Sequence, residues 1–251
     1  MDPYRLQNIL NEELKAMAIQ DYCPNGLQVE GRADVQRIVT GVTASQALID
    51  AAIEQQADAI LVHHGYFWKG ESPVITRMKG KRIATLLAHQ INLLAYHLPL
   101  DIHPQLGNNA QLAQRLGVSI RRLLEPWDKW SVAVVGELTQ PLSGEQLALS
   151  IERTLDRPPL YIEGHSRPVR KVGICTGGGQ SYLALAAEQG LDAFISGEIS
   201  EQTTHIAREM GINYYAAGHH ATERYGVQAL GQWLQENYQL DIQFIDIDNP
   251  V

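Results

Sequence analysis

The stretch Asp58-Ala-Ile-Leu-Val-His63-His64-Gly65 decides how the chain is read. Ile60, Leu61 and Val62 are large or β-branched and follow a helix-like segment, which predicts a buried parallel strand with its carboxyl end at His63. Open α/β sheets place their chemistry at that end of their strands. Successive side chains on a strand point to opposite faces, so the two imidazoles converge on one small molecule only if the backbone turns between them. Two metal ions, one per imidazole, suit that geometry better.

The chain as a whole limits what those ions could serve. With 251 residues, 45% of them hydrophobic, it can bury a large core, and the length suits two domains, expected over residues 1–125 and 126–251. No run of about 18 apolar residues is present, and the start Met1-Asp-Pro-Tyr-Arg does not resemble a signal peptide, so a cytoplasmic protein without a membrane partner is expected. Cys23 and Cys175 are the only cysteines, too few for a disulfide framework and wrongly spaced for a cysteine zinc site. Any metal must then be held by histidine and carboxylate. A formal net charge of −8 and a pI near 5.6 argue against duplex nucleic acid as a partner, because phosphate binding needs a clustered positive footprint.

Outward from the opening stretch, apolar spacing predicts a first helix over residues 4–17, a strand over 37–42, a helix over 45–56, a helix over 82–90 and a strand over 91–96. Residues 66–79 contain aromatics, glycine and proline and read as a loop over the histidine pair. A further helix is expected over 109–116, with a boundary at 126–130. The second half then repeats the first. Asp58-Ala59 aligns with Asp192-Ala193 at an offset of 134 residues, and Gln90-Ile-Asn-Leu-Leu-Ala95 aligns with Gly211-Ile-Asn-Tyr-Tyr-Ala216 at an offset of 121. The difference of 13 residues is about the length of the 66–79 loop, so the first copy carries an extra loop beside His63 and His64. The expected fold class is therefore α/β, two similar α/β halves from internal duplication, with the metal site between them at strand carboxyl ends.

Six of the nine histidines (63, 64, 97, 103, 219 and 220) lie in three short stretches, each just past a predicted strand. Asp101 and His103 follow His97 closely. His219 begins a segment of helical spacing, which sets His219 and Glu223 at i and i+4 on one face as a two-ligand arm.

Four motifs together, Asp21-Tyr-Cys-Pro24-Asn25-Gly-Leu-Gln-Val, Val62-His-His-Gly-Tyr-Phe-Trp-Lys-Gly70, His97-Leu-Pro-Leu-Asp101 and Gly218-His-His-Ala-Thr-Glu223, resemble one family over essentially the whole chain. It is the dinuclear-metal family of GTP cyclohydrolase 1 type 2 homologues, the YbgI-like proteins. The resemblance implies that His63 and His64 each serve a different metal, that Asp101 binds the first and His219 the second, and that Glu223 bridges them. It also implies a ring-shaped homohexamer with metal sites facing its interior.

Three imidazoles and two carboxylates leave positions open for water and substrate, the mark of a catalytic site. A carboxylate bridging two ions about 3.5 to 4 Å apart suits activation of a shared water while substrate is polarised. His97 and His220 are the candidates for proton transfer, with orientation of a ligand as the competing role. Mixed nitrogen and oxygen donors suit zinc, manganese, iron, cobalt or nickel, two divalent ions per chain. The expected activity is a dinuclear metal-dependent hydrolase acting on a small nucleotide-like or heterocyclic substrate. Two alternatives stand beside it, an iron-type oxidoreductase centre and a non-catalytic metal-binding or regulatory ring. Gly177-Gly178-Gly179 departs from the dinucleotide pattern, since Tyr182 stands at the third glycine position, and reads as a tight strand-to-helix turn packed near the metals. Tyr66, Phe67 and Trp68 read as an aromatic loop sealing a subunit interface, or as a stacking surface for a base.

Overall fold

Asp2 starts the first helix by accepting from the Tyr4 and Arg5 amides, with Pro3 in the first turn, where its missing N–H costs nothing. The computed structural model describes residues 1–251, which pack as two units, residues 1–100 with 226–248 and residues 101–225 with 249–251. In the first unit, α1 (Pro3–Glu13) leads to β1 (Gly26–Val29), β2 (Arg37–Thr43), α2 (Gln46–Glu54), β3 (Ala59–His64), α3 (Arg77–Ala88) and β4 (Asn92–Ala95). β2, β3 and β4 are parallel neighbours, and β1 runs antiparallel along the outer edge of β4. Ile38, Val39, Ile60, Leu61, Leu93 and Leu94 are fully buried, which is what a central parallel sheet covered on both faces demands. Each stabilises the fold by about 1.5–3 kcal/mol through burial.

A short helix, α4 (Leu98–Ile102), crosses the division between the units. The second unit follows with α5 (Asn108–Arg115), β5 (Val118–Leu123), β6 (Val134–Leu142), α6 (Gly144–Leu155), β7 (Leu160–Ile162), β8 (Val169–Cys175), α7 (Leu183–Glu188), β9 (Ala193–Ser196), α8 (Glu201–Met210) and β10 (Asn213–Ala216). Ser143 and Gln146 form a reciprocal capping box at the start of α6, and Gly211 ends α8 in the left-handed conformation that a glycine adopts without strain. The sheet order is β5-β6-β8-β9-β10-β7. α9 (His219–Tyr238) then carries the chain out of this unit, and β11 (Asp241–Phe244) pairs in parallel with β2, closing the first sheet as β1-β4-β3-β2-β11. No helix is long and apolar enough to cross a membrane.

The contiguous halves expected from the sequence, 1–125 and 126–251, are not the units into which the chain packs. β5 pairs antiparallel with β6, so residues 126–130 lie in the turn of a hairpin inside the second sheet, and the division falls after Leu100. The return of β11 to the first sheet makes that unit discontinuous. β1, β5 and β11 are strands that apolar periodicity did not predict; β5 and β11 are largely exposed, as edge strands are, so they carry little apolar signal.

The likeness of the two units is local as well as topological. Asp58 accepts from the Gln36 and Arg37 amides at 3.0 and 2.8 Å, and Asp192 accepts from the Arg170 and Lys171 amides at 3.0 and 2.8 Å. Asn92 Oδ1 accepts from the Gly31 amide at 2.8 Å, and Asn213 Oδ1 accepts from the Gly164 amide at 2.9 Å. The aspartates and their amide partners stand at the 134-residue offset, and the asparagines at the 121-residue offset, read from the sequence. Hydrogen bonds to charged groups contribute about 1.5–3 kcal/mol each. Asp58→Ala and Asp192→Ala should therefore each lower unfolding free energy by about 2 kcal/mol in urea titrations. A loss under about 0.5 kcal/mol at both would show that these carboxylates are not what ties each strand start to its neighbour.

Candidate metal centre

β3 delivers its imidazoles at the point where apolar burial ends. His63 is completely buried, and its Nδ1 donates to the Tyr96 carbonyl at 3.0 Å, so Nε2 is the nitrogen it can offer to a metal. His64 Nδ1 meets Thr43 Oγ1 at 3.1 Å. The expectation that strand alternation drives the two rings apart does not hold: their centroids are 4.5 Å apart, tilted by 44°. β3 pairs with β4 only as far as Val62↔Ala95 and with β2 to Thr43↔His64, so the pleat is released on one side where the histidines begin.

His97, just past β4, joins them. Its ring centroid lies 5.0 Å from His63 and 5.8 Å from His64, and one nitrogen from each of the three rings lies within 4.8 Å of the others. Its Nδ1 donates to Asp21 Oδ1 at 2.7 Å. Although burial favours the neutral acid, hydrogen bonds from His97, Asn25 and the Tyr22 amide hold the Asp21 carboxyl below the usual aspartate range. Trp68, from the loop between β3 and α3, stands edge-on to His97 at 4.9 Å and 5.9 Å from His64. Tyr66 anchors that loop by donating to the Ala44 carbonyl at 2.8 Å. Residues 65–76 separate β3 from α3 where only 197–200 separate β9 from α8, which is the extra loop expected of the first unit.

In the second unit the donors gather around the turn that ends β8. Thr176 Oγ1 donates to Asp101 Oδ1 at 3.4 Å, and Asn108 Nδ2 donates to the same oxygen at 2.8 Å. The Gly177 amide donates to Thr222 Oγ1 at 3.0 Å, on the first turn of α9. His219 and Glu223 face each other one turn apart, Nε2 to Oε2 at 3.3 Å, and Glu198 Oε1 accepts from His219 Nδ1 at 2.7 Å. Burial opposes the imidazolium, yet the Glu223 and Glu198 carboxylates outweigh it and push the His219 pKa up to about 9. Glu223 is only 3% exposed. A buried carboxylate that draws so strongly on a cation, beside an imidazole fixed by a second carboxylate, is the donor chemistry a divalent ion requires. His220 follows His219, is nearly buried, and donates its backbone amide to the Val251 carbonyl at 2.9 Å. His103 instead serves its own turn, with Nδ1 accepting from the Leu106 amide at 3.0 Å.

Gly177 is the cradle of this second cluster. At φ +63°, a Cβ built on it would stand 2.1 Å from Glu223 Oε1 and 3.0 Å from His219 Nε2, so the turn read from the sequence does pack against the donors. Both cysteines stay out of reach as thiolates: burial first, then Asp21, pushes the Cys23 thiol up to about 12, and burial with nearby carboxylates pushes Cys175 higher still. Apolar periodicity and histidine counting gave no role to three supporting residues, Asp21, Thr43 and Glu198. One was within reach, because the 134-residue offset carries His64 onto Glu198.

An α/β chain whose parallel strands end in imidazole and carboxylate clusters defines a class of candidate metal-binding proteins. Comparison narrows the class: the family model described as Duf34/NIF3 (NGG1p interacting factor 3) matches residues 1–250, and the chain belongs to that family. It is 62% identical over 253 residues to a Vibrio cholerae protein named GTP cyclohydrolase 1 type 2 homolog, covering 100% of both chains. It is 59% identical over 247 residues to the Escherichia coli K12 protein of the same name, covering 98% of each. Among solved structures, one described as protein ybgI, of unknown function, superposes with a TM-score of 0.96 at 57% identity, covering 100% of both chains. A Thermus thermophilus protein superposes at 0.90 with 32% identity, again covering 100% of both. The YbgI-like resemblance read from the four motifs is thus correct over the whole chain.

Two outcomes follow from this geometry. Gly177→Ala should displace Glu223 and His219 and weaken divalent-metal affinity about 10- to 100-fold, measured by competition with a chromophoric chelator; unchanged affinity would separate the turn from the donors. Cys23 and Cys175 should resist iodoacetamide at pH 8 in the folded protein and react fully in urea, read by mass spectrometry. Rapid labelling of either in the native state would contradict the raised thiol pKa values.

Proposed function

We propose that this chain is a metal-dependent hydrolase of small nucleotide-like or heterocyclic substrates, binding two divalent ions through His63, His64, Asp101, His219 and Glu223. One observation carries the reading. In each unit a strand-end imidazole has its Nδ1 taken by a carbonyl or carboxylate, His63 by Tyr96 and His219 by Glu198, so Nε2 is the atom presented for coordination. The name borne by the relatives, GTP cyclohydrolase 1 type 2 homolog, supports a heterocyclic substrate.

Divalent ions held by such mixed donors would supply an activated water and would polarise the bond to be cleaved. The chain's own residues do the rest. Asp101 is oriented by Asn108 and Thr176, and Glu223 is kept buried beside His219, so neither carboxylate has to be reorganised when a cation arrives. Trp68 presents an aromatic surface beside His64 and His97 on which a planar heterocycle would stack. Self-association as a hexameric ring belongs to the same reading. Val74, Ile75 and Met78 are 60%, 53% and 65% exposed, an apolar stretch suited to burial against another copy.

Glu223→Gln should lower bound metal, by elemental analysis, more than the amide change at any other carboxylate, and should abolish turnover in a screen of nucleotides and cyclic amides. Two tightly held equivalents in that variant would sink the bridging role. Light scattering should give about six times 27.9 kDa, and a monodisperse monomer would remove the ring.

A further inference from the structure

We propose that His97 is a metal ligand, sharing one ion with His63, and that Asp21 is the residue that positions it. The inference rests on the metal-binding reading above and adds a donor to it, in place of the proton carrier expected from the sequence. Everything it uses lies within the first unit.

The distances select the pair. Imidazoles bound to one ion at about 2.0–2.1 Å with near-tetrahedral angles have ring centres roughly 5 Å apart. His63 and His97 stand at 5.0 Å. His97 is nearer to His63 than to His64, whose ring centre is 5.8 Å away, and so joins the ion of His63.

The way His97 is held points to the same role. Ligating histidines donate their remote N–H to a carboxylate or a carbonyl, which sets the tautomer and raises the basicity of the ligating nitrogen. His97 does so to Asp21, as His63 does to Tyr96. Asp21 is itself fixed. Its Oδ1 accepts from the Tyr22 amide, and its Oδ2 accepts from Asn25 Nδ2 and the Leu98 amide, each at 2.9 Å. Asn25 Oδ1 in turn accepts from the His97 amide at 2.8 Å. The Asp21–Asn25 turn thus grips His97 by ring and backbone together, and the side chain of Asp21 is only 2% exposed. A histidine serving only the core would not need a nitrogen within 4.8 Å of those of two further imidazoles. The rival set of Asp21, Cys23 and His97 would need a carboxylate already committed to hydrogen bonds and the thiol that burial keeps protonated.

The test is cobalt(II) binding by the full chain, read by X-ray absorption and by chelator competition, with folding checked by circular dichroism. His97→Ala should remove one imidazole from the cobalt shell and weaken binding of one of the two ions about 100-fold. Asp21→Asn, which leaves His97 in place, should keep the imidazole count and weaken that same ion about 10-fold. A His97→Ala protein with the wild-type imidazole count and affinity overturns the proposal while leaving the metal reading intact. Sulfur in the wild-type shell overturns it in favour of Cys23. Wild-type protein that takes up no cobalt overturns the metal reading and this one with it. Should His97→Ala fail to fold, wild-type affinity in Asp21→Asn overturns the positioning role on its own.

Discussion

An imidazole that leaves a buried strand has one nitrogen to spare for chemistry only if the other is satisfied. A buried N–H without a partner costs about 1–3 kcal/mol, and a ring free to rotate presents neither nitrogen reliably. The arrangement of this chain follows from meeting that constraint repeatedly. Tyr96 takes the proton of His63, Asp21 that of His97, and Glu198 that of His219, while Thr43 meets His64. Each partner comes from a different element, so placing four ring nitrogens correctly requires β2, β4 and the turns after α1 and β9 to be placed first.

The parallel sheets make that placement possible. Their central parallel strands are buried on both faces and mostly aliphatic, Thr40 in β2 being an exception, so the imidazoles and carboxylates concentrate where the strands stop. The paired bonds of Asp58 and Asp192 pin the opposite ends, where β2 and β8 begin. A sheet fixed at its amino ends by carboxylates and filled by aliphatic side chains leaves its carboxyl ends as the region where side chains can be chosen for chemistry. The first unit uses that region for three imidazoles. The second, built on the same strand pattern, uses it for an imidazole and carboxylates, with Gly177 omitting a side chain so that Glu223 fits.

The loop over residues 65–76 adds what the second unit lacks. Phe67 takes a positive φ of 66°, and the Lys79 ammonium lies over its ring while pairing with Glu71 at 3.2 Å. The loop brings Trp68 beside the imidazoles of His64 and His97. Its aliphatic continuation at Val74 and Ile75 is exposed, so one segment carries both an inward aromatic surface and an outward apolar one.

The sequence by itself determined the α/β class, the parallel strand ending at His63, the matched residues at offsets of 134 and 121 and the i, i+4 pair of His219 and Glu223. These depend on local periodicity and on short motifs, which are properties of neighbouring residues. Only the tertiary structure decided that the units divide after Leu100 and that β11 returns to the first sheet, because edge strands such as β5 and β11 carry little apolar pattern. It also decided that His63 and His64 converge, since a strand's alternation lapses where its pairing stops. The grip of Asp21 on His97 spans 76 residues. A hydrogen bond between side chains so far apart in the chain leaves no spacing to read, because its geometry is set by how the strands between them pack.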